Sequence, residues 1–152
     1  MHDDLSRILG ESRDEQAAFL AALVRIPSDN PPGDCAAHAE TAAGLLERMG
    51  FAVERHPVPA AAVAAVGMRS VTNLIVRHRF GDGPTIALNA HGDVVPPGEG
   101  WTVDPYGGQI DGGRLYGRGA AVSKSDFATY AFALRTLRDM SAALHGSVEL
   151  HL

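Results

Sequence analysis

The chain has 152 residues, 45% apolar and 20% charged, enough to build a core and too apolar for global disorder. A formal charge of −5 without any Lys/Arg cluster speaks against a nucleic-acid surface. Cys35 has no second cysteine to pair with, no apolar run reaches a membrane span, and the opening MHDDLSRILGESRDEQ lacks a basic-then-apolar leader pattern, so a cytoplasmic protein is expected.

Taken in order, Asp14 to Arg25 places Ala18, Phe19, Ala22 and Leu23 at helical spacing, and Pro27 ends that helix. Ser28-Asp29-Asn30-Pro31-Pro32-Gly33 is a loop by its turn chemistry. A second helix is expected from Asp34, as N-cap, to Met49, with Gly50 as its stop. Phe51 to Val58 reads as a strand, whereas Pro59 to Gly67 fits either a short helix or a loop over the sheet. Val71 to Arg79 reads as another strand, with Leu74 and Val76 on one face and Asn73, Ile75 and Arg77 on the other.

The turn at Gly81-Asp82-Gly83 leads into the run Ile86-Ala87-Leu88, expected to pair with the preceding strand as a hairpin or near neighbour. A continuous apolar run suits a strand covered on both faces. Gln109-Ile110 and Arg114-Leu115-Tyr116 flank Asp111-Gly112-Gly113, a strong hairpin signal. A third helix follows from Ser123 to Met140, striped by Phe127, Tyr130, Ala131, Leu134 and Leu137. Ser147 to Leu152 alternates as a final strand. The order predicts an α/β fold, a sandwich with helices on both faces of a mixed sheet, and a chain cut inside that fold.

The run from Ile86 ends in His91-Gly92-Asp93 and the breakers Pro96 and Pro97. Ligands of open α/β sheets bind beyond the carboxyl ends of strands, so a titratable cluster there is well placed. Extended geometry through Gly92 would set His91 and Asp93 side by side, and a carboxylate beside an imidazole fixes its tautomer. An isolated His-x-Asp is nevertheless more often a turn cap. Two nucleotide motifs fail: GRGAAV from Gly117 lacks the third glycine of a dinucleotide fingerprint, and Lys124 follows Ser123, not the glycine of a P-loop.

Ala87 to Lys124, with LNAHGDVVPPGEGWTVDPYGGQIDGGRLYGRGAAVSK, resembles the amino-terminal half of the catalytic domain in the acetylornithine deacetylase/succinyl-diaminopimelate desuccinylase family. Aminoacylases and glutamate carboxypeptidases are zinc hydrolases of the same group. The resemblance rests on the His-x-Asp, the loop with Trp101, Asp104, Pro105 and Tyr106, and the Asp-Gly-x-Leu-Tyr-Gly-Arg-Gly-Ala hairpin. It extends more weakly to IPSDNPPGD and the helix before it.

This resemblance implies a three-layer αβα metallopeptidase domain, of which residues 1–152 form the amino-terminal part, with a lid or dimerisation domain elsewhere. It also implies homodimeric full-length relatives acting on N-acyl amino acids or dipeptide-like substrates with zinc, or with cobalt or manganese. His91 then matches the first metal ligand and Asp93 the catalytic carboxylate that orients it. The bridging-aspartate position is occupied by Val122, which has no lone pair to offer and makes a two-metal site doubtful. Asp126 is the nearest carboxylate, but Ser123-Lys124-Ser125-Asp126 has capping-box spacing, and the cap is the favoured reading. The family's glutamate pair has no counterpart in the sequence, so the chain alone is expected to be inactive, and a dead domain with an assembly or binding role is the alternative. Among the other histidines, His56 and His78 read as solvated, and His38 as an exposed or partly buried structural residue. His145 suits a helix C-terminus, and His151 is the least defined.

Overall fold

The computed structural model describes residues 2–140 and 144–152. Its opening segment forms two helices, α1 (His2–Glu11) and α2 (Arg13–Val24), where the sequence suggested one. Ser12 breaks them apart: its hydroxyl donates to the Leu9 carbonyl at 3.1 Å, and Gln16 reaches back to the same carbonyl at 2.9 Å. Carbonyls at the end of α1 thus find side-chain partners instead of the next helical turn.

Helix α3 (Ala36–Arg48) starts later than expected, because Asp34 does not cap it. Ser70, distant in sequence, accepts from the Ala36 amide at 2.9 Å and donates to Asp34 at 2.5 Å. The cap is tertiary, so no local spacing could reveal it. After α3 come β1 (Val53–Pro57), α4 (Ala60–Ala65) and β2 (Thr72–Arg79). The open choice at residues 59–67 resolves as a short helix, α4, anchored by buried Val63.

The strand after the Gly81–Gly83 turn, β3 (Thr85–Asn89), does not pair with β2. A hairpin, β4 (Gln109–Asp111) and β5 (Arg114–Tyr116), stands apart as expected. Helix α5 (Lys124–Asp139) then leads to β6 (Ser147–His151), which enters between β2 and β3 to give the order β1-β2-β6-β3. Strand β6 runs antiparallel to β2 and parallel to β3, so the sheet is mixed. The 81–84 turn crosses the start of β6: Gly146 donates to Asp82 at 3.2 Å and Ser147 to Pro84 at 3.0 Å. Gly146 has φ +87°, and a Cβ there would collide with the Pro84 carbonyl.

Helices α2, α3 and α5 pack on the face carrying Leu74, Val76 and Leu150, where Phe19, Leu46, Phe127 and Phe132 complete the core. Each such large side chain contributes roughly 1.5–3 kcal/mol when fully buried. Helix α5 is buried more broadly than the predicted stripe, with Lys124, Ala128, Phe132 and Thr136 inside, while Tyr130 and Leu137 are only partly covered. On the opposite sheet face Arg77 bridges Glu54 at 2.8 Å and Glu149 at 2.5 Å. The architecture is therefore an α/β sandwich on a mixed sheet, with one helical layer among the described residues and a wet, charged second face. Strand β3 departs most from expectation. It lies at the sheet edge, largely exposed, with Ile86 at 58%. An apolar run cannot by itself distinguish a central strand from an edge strand.

Candidate active site

Strand β3 ends at Asn89, and the chain continues through His91-Gly92-Asp93 at the carboxyl end of the sheet. His91 Nδ1 lies 3.2 Å from an Asp93 carboxylate oxygen and 3.0 Å from the Asp93 main-chain carbonyl. Both neighbours are acceptors, so they suit a proton on Nδ1, the tautomer that in a neutral imidazole leaves the Nε2 lone pair for a ligand. The expected side-by-side placement is present.

The 28–34 loop braces this pair. Val94 donates to the Ser28 carbonyl at 3.0 Å, Asn30 donates to the Val94 carbonyl at 2.7 Å, and the Ser28 hydroxyl binds the Gly92 carbonyl at 2.6 Å. Asn30 Nδ2 donates to the second Asp93 oxygen at 3.1 Å. Asp29 accepts from the Tyr106 hydroxyl at 2.5 Å, tying in the 98–108 loop. Burial, reinforced by that bond to Asp29, holds the Tyr106 phenol far above its ordinary range. Behind the pair the His38 ring abuts Gly92 so closely that a Cβ would come within 2.6 Å of it.

His38 corrects an expectation. It is buried, at 2% exposure, with its ring edge against Phe127 and no partner for Nε2. Burial, with Lys124 adding to it and Asp93 opposing, pulls its pKa down to about 3, so it is neutral. His56 and His151 each sit beside a carboxylate, Glu54 at 3.1 Å and Glu149 at 2.9 Å, and His78 stacks edge-on with Phe80.

Val122 is 69% exposed and shares a cleft of about 300 Å³ with Asn30, His91, Asp93, Val94, Val95, Arg118 and Gly119. Position 122 therefore lines the same cleft as His91. The next residues turn inward. Ser123 and Lys124 are buried, and the Lys124 ammonium donates to the carbonyls of Leu23 at 3.1 Å and Ile26 at 2.8 Å. Burial lowers the Lys124 pKa to about 8. Ser123 Oγ donates to the Asp126 carboxylate at 2.6 Å, and no side chain caps the α5 amides. The capping-box reading is thus corrected: the two side chains bind each other. Asp126 is still held locally.

Among the described residues no three His, Cys, Asp or Glu side chains are grouped so as to hold a metal ion. Zinc sites need three or four donors, and a bridged pair needs a shared carboxylate. The cleft offers the His91 imidazole, while Val122 offers none. The donor set does not fit a bridged two-metal centre. Ser28, Asn30 and Arg118 escaped the sequence reading. Only tertiary pairing of the 28–34 loop with Val94 reveals the first two, and Arg118 was seen only as part of a hairpin motif.

Residues 87–152 match the model of peptidase family M20/M25/M40. The chain is 42% identical over 135 residues to a succinyl-diaminopimelate desuccinylase of Methylobacterium sp. (strain 4-46), covering 86% of this chain and 32% of that protein. A desuccinylase of Rhodospirillum centenum is 38% identical over 136 residues, with 88% and 33% covered. The chain thus spans about a third of the length of these curated relatives. Human carnosine dipeptidase 1 shares the fold, with TM-score 0.75 at 23% identity over 98% of this chain and 33% of that one. The yeast (Saccharomyces cerevisiae) di-peptidase Dug1p gives 0.76 at 15% identity, with 97% and 33% covered. No helix among the described residues is long and apolar enough to cross a membrane.

Proposed function

The chain belongs to the M20 peptidase family, and from that premise we propose that it is the amino-terminal part of a metal-dependent hydrolase that cleaves the amide of N-acyl amino acids or dipeptide-like substrates. An N-succinyl amino acid is the preferred substrate class, by likeness to the desuccinylases. His91 is the metal ligand this chain contributes, and Asp93 fixes its tautomer. The observation that carries the reading is the 3.2 Å His91–Asp93 pair within the family-matched segment. Zinc is the favoured metal, with cobalt or manganese as substitutes.

The chain alone is expected to release no succinate from an N-succinyl amino acid. Among the described residues no three His, Cys, Asp or Glu side chains are grouped to hold a metal and its water. The test supplies in trans the remainder of the Methylobacterium desuccinylase. Metal-dependent release of succinate that disappears in His91→Ala supports the reading. Release by the chain alone, surviving His91→Ala, would overturn it. A second reading, a non-catalytic domain that binds or assembles, is favoured by Val122. No turnover in trans, even with Val122→Asp, would decide for it.

A further inference from the structure

The cleft contains a cation without a matching anion. Arg118 donates from Nη2 to the Pro97 carbonyl at 2.8 Å and lies 5.5 Å from the Trp101 ring centre. Trp101 Nε1 donates to the same carbonyl at 2.9 Å, so this oxygen already serves two donors. Arg118 Nε is buried without a partner, and no carboxylate pairs with the guanidinium among the described residues. A buried donor left unmet carries a real penalty, and a guanidinium is shaped for carboxylate oxygens.

The cleft's other charges do not supply the partner. Asp93, the one carboxylate in the lining among the described residues, is engaged by the Asn30 amide and by His91, while Asp126, outside the lining, is engaged by Ser123. Position 122, where a carboxylate would sit in a metal-bridging arrangement, carries an isopropyl group. With Val94 and Val95, it makes the remaining wall aliphatic. With valine at position 122, the lining keeps one carboxylate, Asp93, and a guanidinium that no carboxylate of the described residues pairs with.

We propose that the Arg118 corner of this cleft binds the carboxylate of a small aliphatic acid, with Val94, Val95 and Val122 against its carbon chain. The inference goes beyond the hydrolase reading, since neither metal nor turnover enters it. A ligand carboxylate would accept from the guanidinium at the cleft wall.

Calorimetric titration of the 152-residue chain with succinate, and with neutral succinamide as the uncharged control, tests it. Succinate is expected to bind and succinamide not. Arg118→Gln should weaken succinate by about tenfold or more, the size expected for losing a charge-assisted contact. Val122→Asp should also weaken it, by restoring a negative charge to the cleft. The Arg118 Nε–H resonance of the unsubstituted protein should shift on adding succinate, a readout that needs no variant. Equal affinity for succinate and succinamide would overturn the proposal, as would a stationary Nε–H resonance. Failure here leaves the hydrolase reading standing, and loss of turnover in trans leaves this one standing.

Discussion

Lys124 and Arg118 lie on the same turn into α5, and their environments are opposite. The Lys124 ammonium is enclosed at 0% exposure and donates to carbonyls at the end of α2. That arrangement meets carbonyl groups a helix end leaves open and sets a cation at the negative end of the helix dipole. Arg118 is half-buried at a cleft wall with one donor buried and unmet. A satisfied buried cation belongs to the architecture. An unsatisfied one beside a cleft is available for a ligand. The turn thus has a structural side, Ser123 and Lys124, and a chemical side, Arg118 and Val122.

Breaking the structural side should have the largest effect. Lys124→Met removes the donor to Leu23 and Ile26; the Leu23 carbonyl keeps the Ile26 amide at 3.2 Å, and the Ile26 carbonyl is left unmet, at about 1–3 kcal/mol. A loss of up to about 3 kcal/mol is expected by denaturant unfolding. A change under about 1 kcal/mol would mean that water takes over the Ile26 carbonyl.

His38 extends the comparison to a buried group that stays neutral. Its folded pKa of about 3 lies below the ordinary 6.5, chiefly through burial. The unfolded chain therefore takes up the proton first on acidification. Stability is fully present above about pH 6.5 and falls as pH drops towards 3, by roughly 3 kcal/mol between pH 7 and 4. His38→Leu should flatten that part of the stability profile. An unchanged acid limb in the variant would assign the loss to other groups.

The chemical side should respond differently. Val122→Asp places a carboxylate on an exposed position in the cleft that His91 lines, so stability should move by no more than about 0.5 kcal/mol. Zinc affinity should rise measurably in calorimetry and fall back when His91→Ala is added. Identical zinc affinities in the chain, the single variant and the double variant would mean that positions 91 and 122 do not share a site. The smallest effect is expected at Asp126. Its side-chain bond to Ser123 is local, and Asp126→Asn should cost about 1 kcal/mol or less with zinc affinity unchanged. A drop in zinc affinity there would turn Asp126 from a local partner into a ligand.

Much of this was legible without coordinates. Periodicity located α3, α5, β2, β6 and the β4–β5 hairpin, because amphipathic faces repeat with the geometry of the element that buries them. The His91–Asp93 adjacency followed from the alternation of extended chain. The family followed from ordered motifs, and Val122 stood out against them. What failed locally was settled at a distance: β6 separating β3 from β2, Ser70 capping α3, and the 28–34 loop bracing Asp93.

Residue types and spacing, then, determined which helices and strands form, the His-x-Asp pair, and the absence of a carboxylate at position 122. Only the tertiary structure decided that β3 is an edge, that His38 is enclosed and neutral, and that Lys124 is held while Arg118 is left unmatched. The physical reason is that periodicity is a property of neighbouring residues. Burial and partner satisfaction depend on chain segments far apart in sequence, such as Ile26 with Lys124 and Asn30 with Asp93, which folding alone brings together.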